Sequence, residues 1–350
     1  MQIPLDDPTG FSSSGPASAA HMTGRPVIAI VGAGQIGSRH LQALAGLDRP
    51  ALLHIVDPSD ASRASAESRW LDVAPIGAAT PGSHRAVTDL PSVLDVAILA
   101  TGANVRLEAL RELLSHATVK YLILEKVLFQ SAADFIEAEK LLWASGARVW
   151  VNCPRRLSTL YTDLRAALDS PQDAAIHVTG SNWGLGCNAV HFLDLIAYIT
   201  SAEAELRFRE PSLDPPFAAK RPGFIEFTGT MEGCFGPGVR FSLTSWAGGS
   251  SPLAIHVESP DLRCFVVEGV GRLDGWMARA ADNWEWKPLT RDFPFQSQLT
   301  QIVVNSILET GDCGLSSFAE SARLHLPLLQ TLNTFYLGPE AGPETRCPIT

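Results

Sequence analysis

Residues 27–37 read VIAIVGAGQIG and determine how the first half of the chain folds. The first five residues are apolar and mostly β-branched, as in a strand buried on both faces of a parallel sheet. The glycines that follow fit the pattern G-x-G-x-x-G. In that pattern Gly32 permits a tight turn, Gly34 leaves room for a pyrophosphate, and Gly37 lets a helix pack closely on the strand. Because a helix N-terminus attracts phosphate, the motif predicts a dinucleotide site.

The alternation of strand and helix continues to residue 151. Short apolar segments predict buried strands, and amphipathic segments predict helices. This alternation is typical of a doubly wound α/β domain, a Rossmann fold with a parallel sheet and right-handed crossovers. Besides the strand and helix of the glycine loop, the predicted strands are 52–56, 96–100, 121–124 and 149–151, and the predicted helices are 105–115 and 132–145.

A carboxylate closes the second predicted strand. Asp57 stands where a dinucleotide site commonly has an acid that hydrogen-bonds the adenosine ribose and repels a 2′-phosphate. It could also cap the turn that follows, and the two roles are compatible. No arginine occupies positions 58–62, although Arg63 is close. We therefore expect NAD in preference to NADP, bound by Asp57 and by the glycine loop with its Gln35 and Ile36.

The second half of the chain has a different pattern. Alternating apolar and polar residues predict antiparallel strands that form one open sheet, at 224–230, 239–246, 253–258, 264–268 and 283–286. Amphipathic helices at 296–310 and 317–336 are expected to pack back on the first domain. The predicted organisation is a flexible extension (1–25), an NAD-binding Rossmann domain (26–152), an α+β domain for substrate and oligomer contacts (153–337) and a loose tail (338–350).

Composition excludes several classes of protein. The chain has 27 Lys and Arg against 37 Asp and Glu, a net charge of −10, which is unfavourable for binding nucleic acid or anionic membranes. Its apolar runs end well before the roughly 20 residues that a membrane helix needs. The six cysteines form no C-x-x-C pair, which argues against a disulfide scaffold or a zinc ribbon. With no signal-peptide pattern at the start, we expect a cytoplasmic protein with no nucleic-acid or membrane partner.

Four short motifs resemble those of one family of oxidoreductases. They are the loop 32–37 with His40 after it, Ala100-Thr101 before a helix, Glu125-Lys126 at a strand end, and His191-Phe192-Leu193-Asp194. Through them, residues 26–335 resemble the glucose–fructose oxidoreductase, inositol dehydrogenase and rhizopine catabolism (Gfo/Idh/MocA) family. The resemblance implies NAD(P) in the first domain and an open, mostly antiparallel sheet in the second, which often makes the oligomer contact. It also implies sugars, inositols or nucleotide sugars as substrates.

The resemblance implies roles for individual residues. Lys126 matches the lysine of the family's Glu-Lys-Pro motif, which is a catalytic and substrate-orienting group. His191 matches the histidine of its Asp-x-x-x-His motif. Thr101 matches a position beside the cofactor, and Glu125 and Lys126 are assigned to the cofactor site with it.

Three residues depart from the family pattern. Val127 stands where the family has proline, Cys187 where it has the aspartate, and Arg106 where a histidine is frequent. Asn188 could supply a polar substitute for the aspartate. Arg106 could clamp a phosphate or a substrate carboxylate, or lie on a solvated helix face.

The segment around His191 carries groups suited to alcohol oxidation. If its helix begins near Cys187, then Cys187, His191 and Asp194 share one face. His191 could take the hydroxyl proton, because imidazole titrates near neutral pH. Lys126 could be the base if burial lowers its pKa, or it could donate a hydrogen bond to the developing alkoxide. Asp194 could orient the His191 ring or bond to backbone. We expect no metal, because a second ligand cluster is missing.

Further residues could contact the substrate. Arg155 and Arg156 follow the last strand of the first domain and could grip an anionic group or form a surface pair. Tyr161 could reach the same place, and Lys220 and Arg221 could reach a substrate or a partner subunit. Trp183 could stack on a sugar or belong to the core. The predicted substrate site comprises Arg155, Arg156, Tyr161, Trp183, Cys187, Asn188 and Asp194.

These observations predict an NAD(P)-dependent oxidoreductase. It would transfer hydride between nicotinamide C4 and a secondary alcohol or ketone of a sugar, cyclitol or nucleotide sugar, with Lys126 and His191 as the catalytic residues. One alternative is an enzyme that uses bound NAD transiently for elimination, epimerisation or glycoside cleavage. Another is a catalytically impaired, NAD-binding regulator. A homodimer or homotetramer through the C-terminal sheet is expected, because one sheet face is otherwise bare.

Overall fold

The computed structural model describes residues 24–350. The flexible extension expected over residues 1–25 lies outside the described residues except for its last two positions. The helices of this part of the chain are α1 Gln35–Leu44, α2 Asp60–Leu71, α3 Arg106–His116, α4 Ala132–Ser145, α5 Thr159–Ala167, α6 Leu185–Thr200, α7 Gln296–Thr310 and α8 Phe318–Leu337. None of them is both long enough and apolar enough to cross a membrane.

The first half forms the doubly wound α/β domain that the sequence predicts. Its strands are β1 Val27–Val31, β2 Leu52–Val56, β3 Gly82–His84, β4 Val93–Leu99, β5 Thr118–Leu124 and β6 Arg148–Val151, joined by β18 Ser316–Ser317. The order is β18-β6-β5-β4-β1-β2-β3, and only β18 runs antiparallel to its neighbour. The strand order reverses at β1, so the adjoining crevice is the expected place for a ligand.

The second half forms an open nine-stranded sheet, as predicted. Its strands are β7 Ala175–Ser181, β8 Leu206–Phe208, β9 Ser212–Leu213, β12 Gly229–Phe235, β13 Val239–Trp246, β14 Leu253–Glu258, β15 Leu262–Gly269, β16 Arg272–Arg279 and β17 Lys287–Asp292. The order is β17-β16-β15-β14-β7-β13-β12-β8, with β9 also beside β12, and only the β7–β13 pair is parallel. A separate hairpin pairs β10 Phe217–Ala218 with β11 Ile225–Glu226.

Two predicted strands differ from the structure. The strand expected at 283–286 is wrong, because Asn283 and Trp284 have φ of +53° and +60° and turn the chain between β16 and β17. The strand expected at 224–230 is broken into β11 and β12. Gly229, at the start of β12, has φ of +107°, and a Cβ there would overlap the carbonyl oxygen of Ser212.

The prediction of a loose tail over residues 338–350 is wrong for its last four residues. Cys347 and Ile349 are fully buried. The Cys347 N–H donates to the Gln130 carbonyl at 2.8 Å, and the Gln130 side-chain amide donates to the Ile349 carbonyl at 2.9 Å. Of the glycines and prolines that suggested looseness, all but Pro348 precede this buried segment. We refer to residues 347–350 as the C-terminal strap.

Helix α7 comes from the second half of the chain but completes the core of the first sheet. Its residues Val303, Val304 and Ile307 are buried in the same apolar cluster as Ile28 of β1 and Leu41 of α1. The first sheet therefore buries one face against a helix that is remote in sequence.

Candidate functional site

The glycine loop 32–37 has the backbone geometry that the motif predicts. Gly32 has φ of +100°, and a Cβ there would lie 2.9 Å from the Thr101 backbone nitrogen. A Cβ on Gly37 would overlap the Gly32 carbonyl oxygen. A Cβ on Gly34 would meet nothing within 4 Å. Gly32 and Gly37 are thus required by backbone contacts, whereas Gly34 borders open space.

Helix α1 presents backbone donors to that space. It begins at Gln35, and its N-cap Gly34 has no side chain to satisfy the first-turn N–H groups. Its first turn carries no acidic residue. At the neighbouring strand end, the buried Thr101 hydroxyl oxygen has no hydrogen-bond partner. These features fit the diphosphate of a dinucleotide, which the loop, Gln35 and Ile36 would hold.

Asp57 closes β2 beside the loop and has two backbone partners. Its Oδ2 accepts a hydrogen bond from the Ala33 N–H at 2.8 Å, and its Oδ1 accepts one from the Ser59 N–H at 2.9 Å. Each carboxylate oxygen keeps acceptor capacity for a ribose hydroxyl. Arg63 donates to the Asp57 carbonyl and to the Asp60 carboxylate. Its guanidinium is therefore already occupied on the protein.

A cavity of about 500 Å³ lies between the glycine loop and the second sheet. The ends of β4, β5 and β6 border it on one side, and the β15–β16 turn and the segment before α7 border it on the other. Its lining brings together Gly34, Gln35, Ile36, Thr101, Glu125, Lys126, Arg155, Asn188 and His191. The other predicted site residues lie outside the lining: Gly32, Gly37, Asp57, Arg156, Tyr161, Trp183, Cys187 and Asp194.

Lys126 projects from the end of β5 to the start of α6. Its Nζ donates to the Cys187 carbonyl at 3.0 Å and to the Asn188 Oδ1 at 3.0 Å. Asn188 in turn donates to the Trp183 carbonyl at 2.7 Å. The Lys126–Val127 peptide bond is cis. An ammonium group has three N–H donors, so Lys126 keeps one for a group in the cavity.

Glu125 lines the cavity, but its carboxylate is hydrogen-bonded by other side chains of the protein. Its Oε1 accepts a hydrogen bond from His40 Nε2 at 2.9 Å and one from Asn152. His40 also contacts the Thr300 hydroxyl at 2.8 Å, on α7. Burial alone would raise the pKa of Glu125, but hydrogen bonding and charge from His40, followed by Asn152 and Lys126, lower it below its usual value. The carboxylate thus anchors the strand end that carries Lys126.

His191 lies on α6 and faces the same cavity. Its buried Nδ1 has no hydrogen-bond partner. Burial, and then the positive charges of Lys126 and Arg155, hold the pKa of His191 well below its usual range. The imidazole is therefore neutral at neutral pH and can accept a proton.

The other two members of the predicted α6 face do not act on His191. Asp194 is fully buried and receives a two-pronged salt bridge from Arg156, at 2.9 and 2.7 Å, so the expectation that Asp194 orients His191 is wrong. Burial raises the pKa of Asp194 although Arg156 opposes this. The Cys187 thiol points back to the Gly184 carbonyl at 3.6 Å, and burial raises its pKa to about 12.

Arg155 and Tyr161 converge on one carboxylate. The Arg155 guanidinium donates to both oxygens of Glu268 at 2.9 and 2.8 Å, and the Tyr161 hydroxyl donates to Glu268 at 2.9 Å. Arg155 also lies 4.3 Å from the Phe192 ring centre. Glu268 thus occupies the groups that the sequence suggested for gripping a substrate anion.

Two further side chains are structural. The Trp183 indole N–H donates to the Thr244 carbonyl at 2.8 Å and its ring packs edge-on against Phe192, so it is a half-buried residue that packs against the core. Arg106 is fully buried and donates to the carbonyls of Thr101, Val127 and Leu128, so the expectation of a solvated helix face is wrong. Burial lowers the pKa of Arg106 to about 10.

Several lining residues escaped the sequence analysis. Asn152 directly follows β6, and its place at the carboxyl edge of the sheet could have been predicted from that position. Phe295 and Gln296 come from the start of α7, and Thr350 comes from the C-terminal strap. No local pattern marks these three as site residues, since they reach the cavity only through tertiary packing.

The glycine loop, the free helix N-terminus and the cleft at the strand ends define a dinucleotide-binding Rossmann protein. Residues 27–153 match the GFO_IDH_MocA family, described as "Oxidoreductase family, NAD-binding Rossmann fold". Over this segment the chain is similar to that family, in agreement with the resemblance predicted from its motifs. No curated protein matches the sequence.

Solved structures share the fold across both halves of the chain. The UDP-N-acetylglucosamine 3-dehydrogenase GnnA from Acidithiobacillus ferrooxidans is 12% identical with a TM-score of 0.66, over 90% of this chain and 99% of that one. An oxidoreductase from Agrobacterium radiobacter in complex with NAD+, L-tartaric acid and magnesium is 14% identical with a TM-score of 0.64, over 88% and 95%. A super-repressor mutant of Gal80p from Saccharomyces cerevisiae is 14% identical with a TM-score of 0.66, over 90% and 96%. At such identities the likeness is one of fold.

Proposed function

We propose that the protein is an NAD-dependent oxidoreductase acting on a secondary alcohol or ketone of a sugar, cyclitol or nucleotide sugar. The observation that carries the proposal is the shared cavity: Lys126 and His191 line the same space as Gly34 and the start of α1. A dinucleotide on the glycine loop would extend its nicotinamide toward these two side chains. The fold shared with a UDP-N-acetylglucosamine 3-dehydrogenase supports the substrate class.

The bound nicotinamide would supply the hydride acceptor or donor. Lys126, held by two oxygens of α6, would direct its remaining N–H at the substrate oxygen and stabilise negative charge as that oxygen loses its proton. His191, neutral because of its lowered pKa, would accept that proton at a ring nitrogen. In the reverse direction, protonated His191 would return the proton to the oxygen while Lys126 stabilises the negative charge on it.

The preference for NAD over NADP rests on Asp57. A carboxylate at this strand end repels a 2′-phosphate and can bond ribose hydroxyls. Arg63, the nearest candidate for binding a 2′-phosphate, is engaged by the Asp57 carbonyl and by Asp60. We further propose a cytoplasmic location, supported by the free state of the six cysteines within residues 24–350.

A second candidate function is an NAD-binding regulator without turnover. Cys187 stands where the resemblance implies an aspartate, and with a pKa of about 12 its thiol is neutral at neutral pH. The fold shared with Gal80p supports this candidate. It predicts NAD binding with no reduction of NAD by any substrate.

The deciding experiment follows NADH absorbance with a panel of sugars, cyclitols and uronic acids. We expect turnover in the wild type and at least tenfold loss in Lys126→Met and in His191→Gln. Matched controls are Lys120→Met, an exposed lysine on the same strand β5, and His177→Gln, an exposed histidine on β7. NAD binding without turnover by the wild type would favour the regulator. Transient NADH without net yield would favour elimination, epimerisation or glycoside cleavage.

A further inference from the structure

The cavity has more positive charge than its own carboxylates neutralise. Four lining side chains are cationic, namely Arg106, Lys126, Arg155 and Arg221, and one is acidic, namely Glu125. The whole chain carries a net charge of −10, so this local excess runs against the composition. Cationic clefts with low-dielectric walls concentrate anions.

Two of the four cations are hydrogen-bonded to oxygens of the protein. Arg106 is buried and donates to three backbone carbonyls. Arg155 is held by both oxygens of Glu268. Both guanidinium groups are thus already paired with protein oxygens, so we take Lys126 and Arg221 as the cations open to a ligand.

Among residues 24–350, neither Lys126 nor Arg221 forms a salt bridge with an acidic side chain. The charge of Glu125 acts on Lys126 only at longer range. Lys126 contacts neutral oxygens only. Arg221 is exposed; its Nη1 donates to the Thr350 hydroxyl at 3.4 Å, and its guanidinium lies 5.8 Å from the Phe224 ring centre. A guanidinium so weakly held keeps its planar donor edge for a carboxylate or a phosphate.

Arg221 lies on the cavity beside the loop that follows β4. Its Nη1 would lie 3.6 Å from a Cβ on Gly102, directly after Thr101. This is the loop that follows β4, the strand next to β5, whose end carries Lys126. The first turn of α1, where the cofactor diphosphate would bind, lies across the same cavity.

We propose that the substrate carries an anionic group, a carboxylate or a phosphate, which Arg221 binds while Lys126 holds the reacting oxygen. This inference rests on the proposed oxidoreductase function and narrows its substrate to acidic or phosphorylated sugars. The anion neutralises the excess charge of the cleft. It also offsets the positive charges of Lys126 and Arg155, which add to burial in lowering the pKa of His191.

The test measures binding to the NAD-loaded protein by calorimetry. The ligands are D-glucuronate, D-galacturonate and D-glucose 6-phosphate, with D-glucose and D-galactose as uncharged counterparts. We expect at least one anion to bind tenfold or more tightly than its uncharged counterpart. Comparing the affinities of the two uronates with that of the sugar phosphate shows whether the site prefers a carboxylate or a phosphate. Arg221→Gln should abolish this preference, and Arg221→Lys should retain part of it. Arg209→Gln, an exposed arginine on the second sheet's edge, is the control.

NAD affinity, measured separately, keeps the two proposals apart. It should change less than twofold in Arg221→Gln. Equal binding of charged and uncharged sugars by the NAD-loaded wild type would overturn the anion site and leave the oxidoreductase proposal intact. A loss of NAD affinity in Arg221→Gln as large as the loss of anion affinity would assign Arg221 to the cofactor diphosphate instead. Failure of the wild type to bind NAD would overturn the oxidoreductase proposal itself.

Discussion

His325 illustrates how a single buried residue supports the loop that carries Lys126. The ring is fully buried on α8. Its Nε2 accepts a hydrogen bond from the Leu128 N–H at 3.2 Å, and its Nδ1 pairs with the Ser321 carbonyl at 2.8 Å. Only the neutral tautomer with hydrogen on Nδ1 satisfies both contacts. Burial lowers the pKa of His325 to about 3.

This depressed pKa predicts acid destabilisation. The unfolded chain takes up a proton near pH 6.5, whereas the native ring stays neutral down to about pH 3. The contribution of neutral His325 to the free energy of unfolding is thus fully present above pH 6.5. It decreases as the pH falls, by about 1.4 kcal/mol per pH unit. Between pH 7 and pH 5 this amounts to about 2 kcal/mol. Urea unfolding at both pH values should show a smaller decrease for His325→Gln than for the wild type, and an equal decrease would contradict the assignment.

Asp57 permits a second prediction for a single residue. Asp57→Ala should weaken NAD binding about tenfold and reduce the discrimination against NADP, because the 2′-phosphate no longer meets a carboxylate. Loss of the hydrogen bond from the Ala33 N–H should also lower the free energy of unfolding by about 1 kcal/mol. Fluorescence titrations with both cofactors measure the first effect. Asp72→Ala, at an exposed acid that caps the far end of α2, is the control, and unchanged discrimination in Asp57→Ala would refute the role.

Individual elements differ in how far the sequence could predict them. The glycine loop was predictable, because the need for glycine at positions 32 and 37 comes from contacts within the loop and with the end of the adjacent strand β4. Helices α4 and α7 were predicted with the observed bounds, since their apolar residues recur at helical spacing. Strand β3 was missed because it is three residues long and polar. Likewise, the salt bridge of Arg156 with Asp194 spans 38 positions and has no local signal.

The C-terminal strap is buried, although the glycines and prolines of residues 338–350 predicted a loose tail. It contacts Gln130, and Thr350 lines the cavity beside Arg221. Ile349→Ala should lower the free energy of unfolding by about 2–4 kcal/mol, because it empties a fully buried site. Ile76→Ala, at a fully exposed isoleucine, should change it by less than about 0.5 kcal/mol. Urea denaturation of both variants is the measurement, and a similar small effect in both would mean that the strap is not docked in solution.

At the scale of the whole molecule, the outer face of the second sheet remains uncovered by any helix of the described chain. Trp246, Phe265 and Trp276 are exposed on strands whose alternate residues are buried. Phe265 and Trp276 are cross-strand partners with stacked rings 6.5 Å apart. An exposed aromatic surface of this kind is typical of protein interfaces. We therefore propose self-association through this face as a homodimer or homotetramer.

Sedimentation at micromolar concentration tests this assembly. We expect the wild type to be a dimer or tetramer and Trp276→Glu to shift it toward monomer, because a buried unpaired charge opposes association. Ile76→Glu places the same charge on an exposed site of the first domain and should leave the assembly unchanged. A monomeric wild type, or equal effects of the two variants, would exclude this face as the interface.

The contribution of α7 to the first core also bears on synthesis by the ribosome. Strands β1 to β6 are translated first, yet Val303, Val304 and Ile307, which cover one face of their sheet, follow much later in the chain. At about 10 residues per second, this delay is on the order of ten seconds or more. During that time the part of the sheet's apolar face that α7 covers is exposed, while α1 and α2 already pack on the rest. Productive folding in the cell should therefore depend on chaperones that shield this face until α7 emerges.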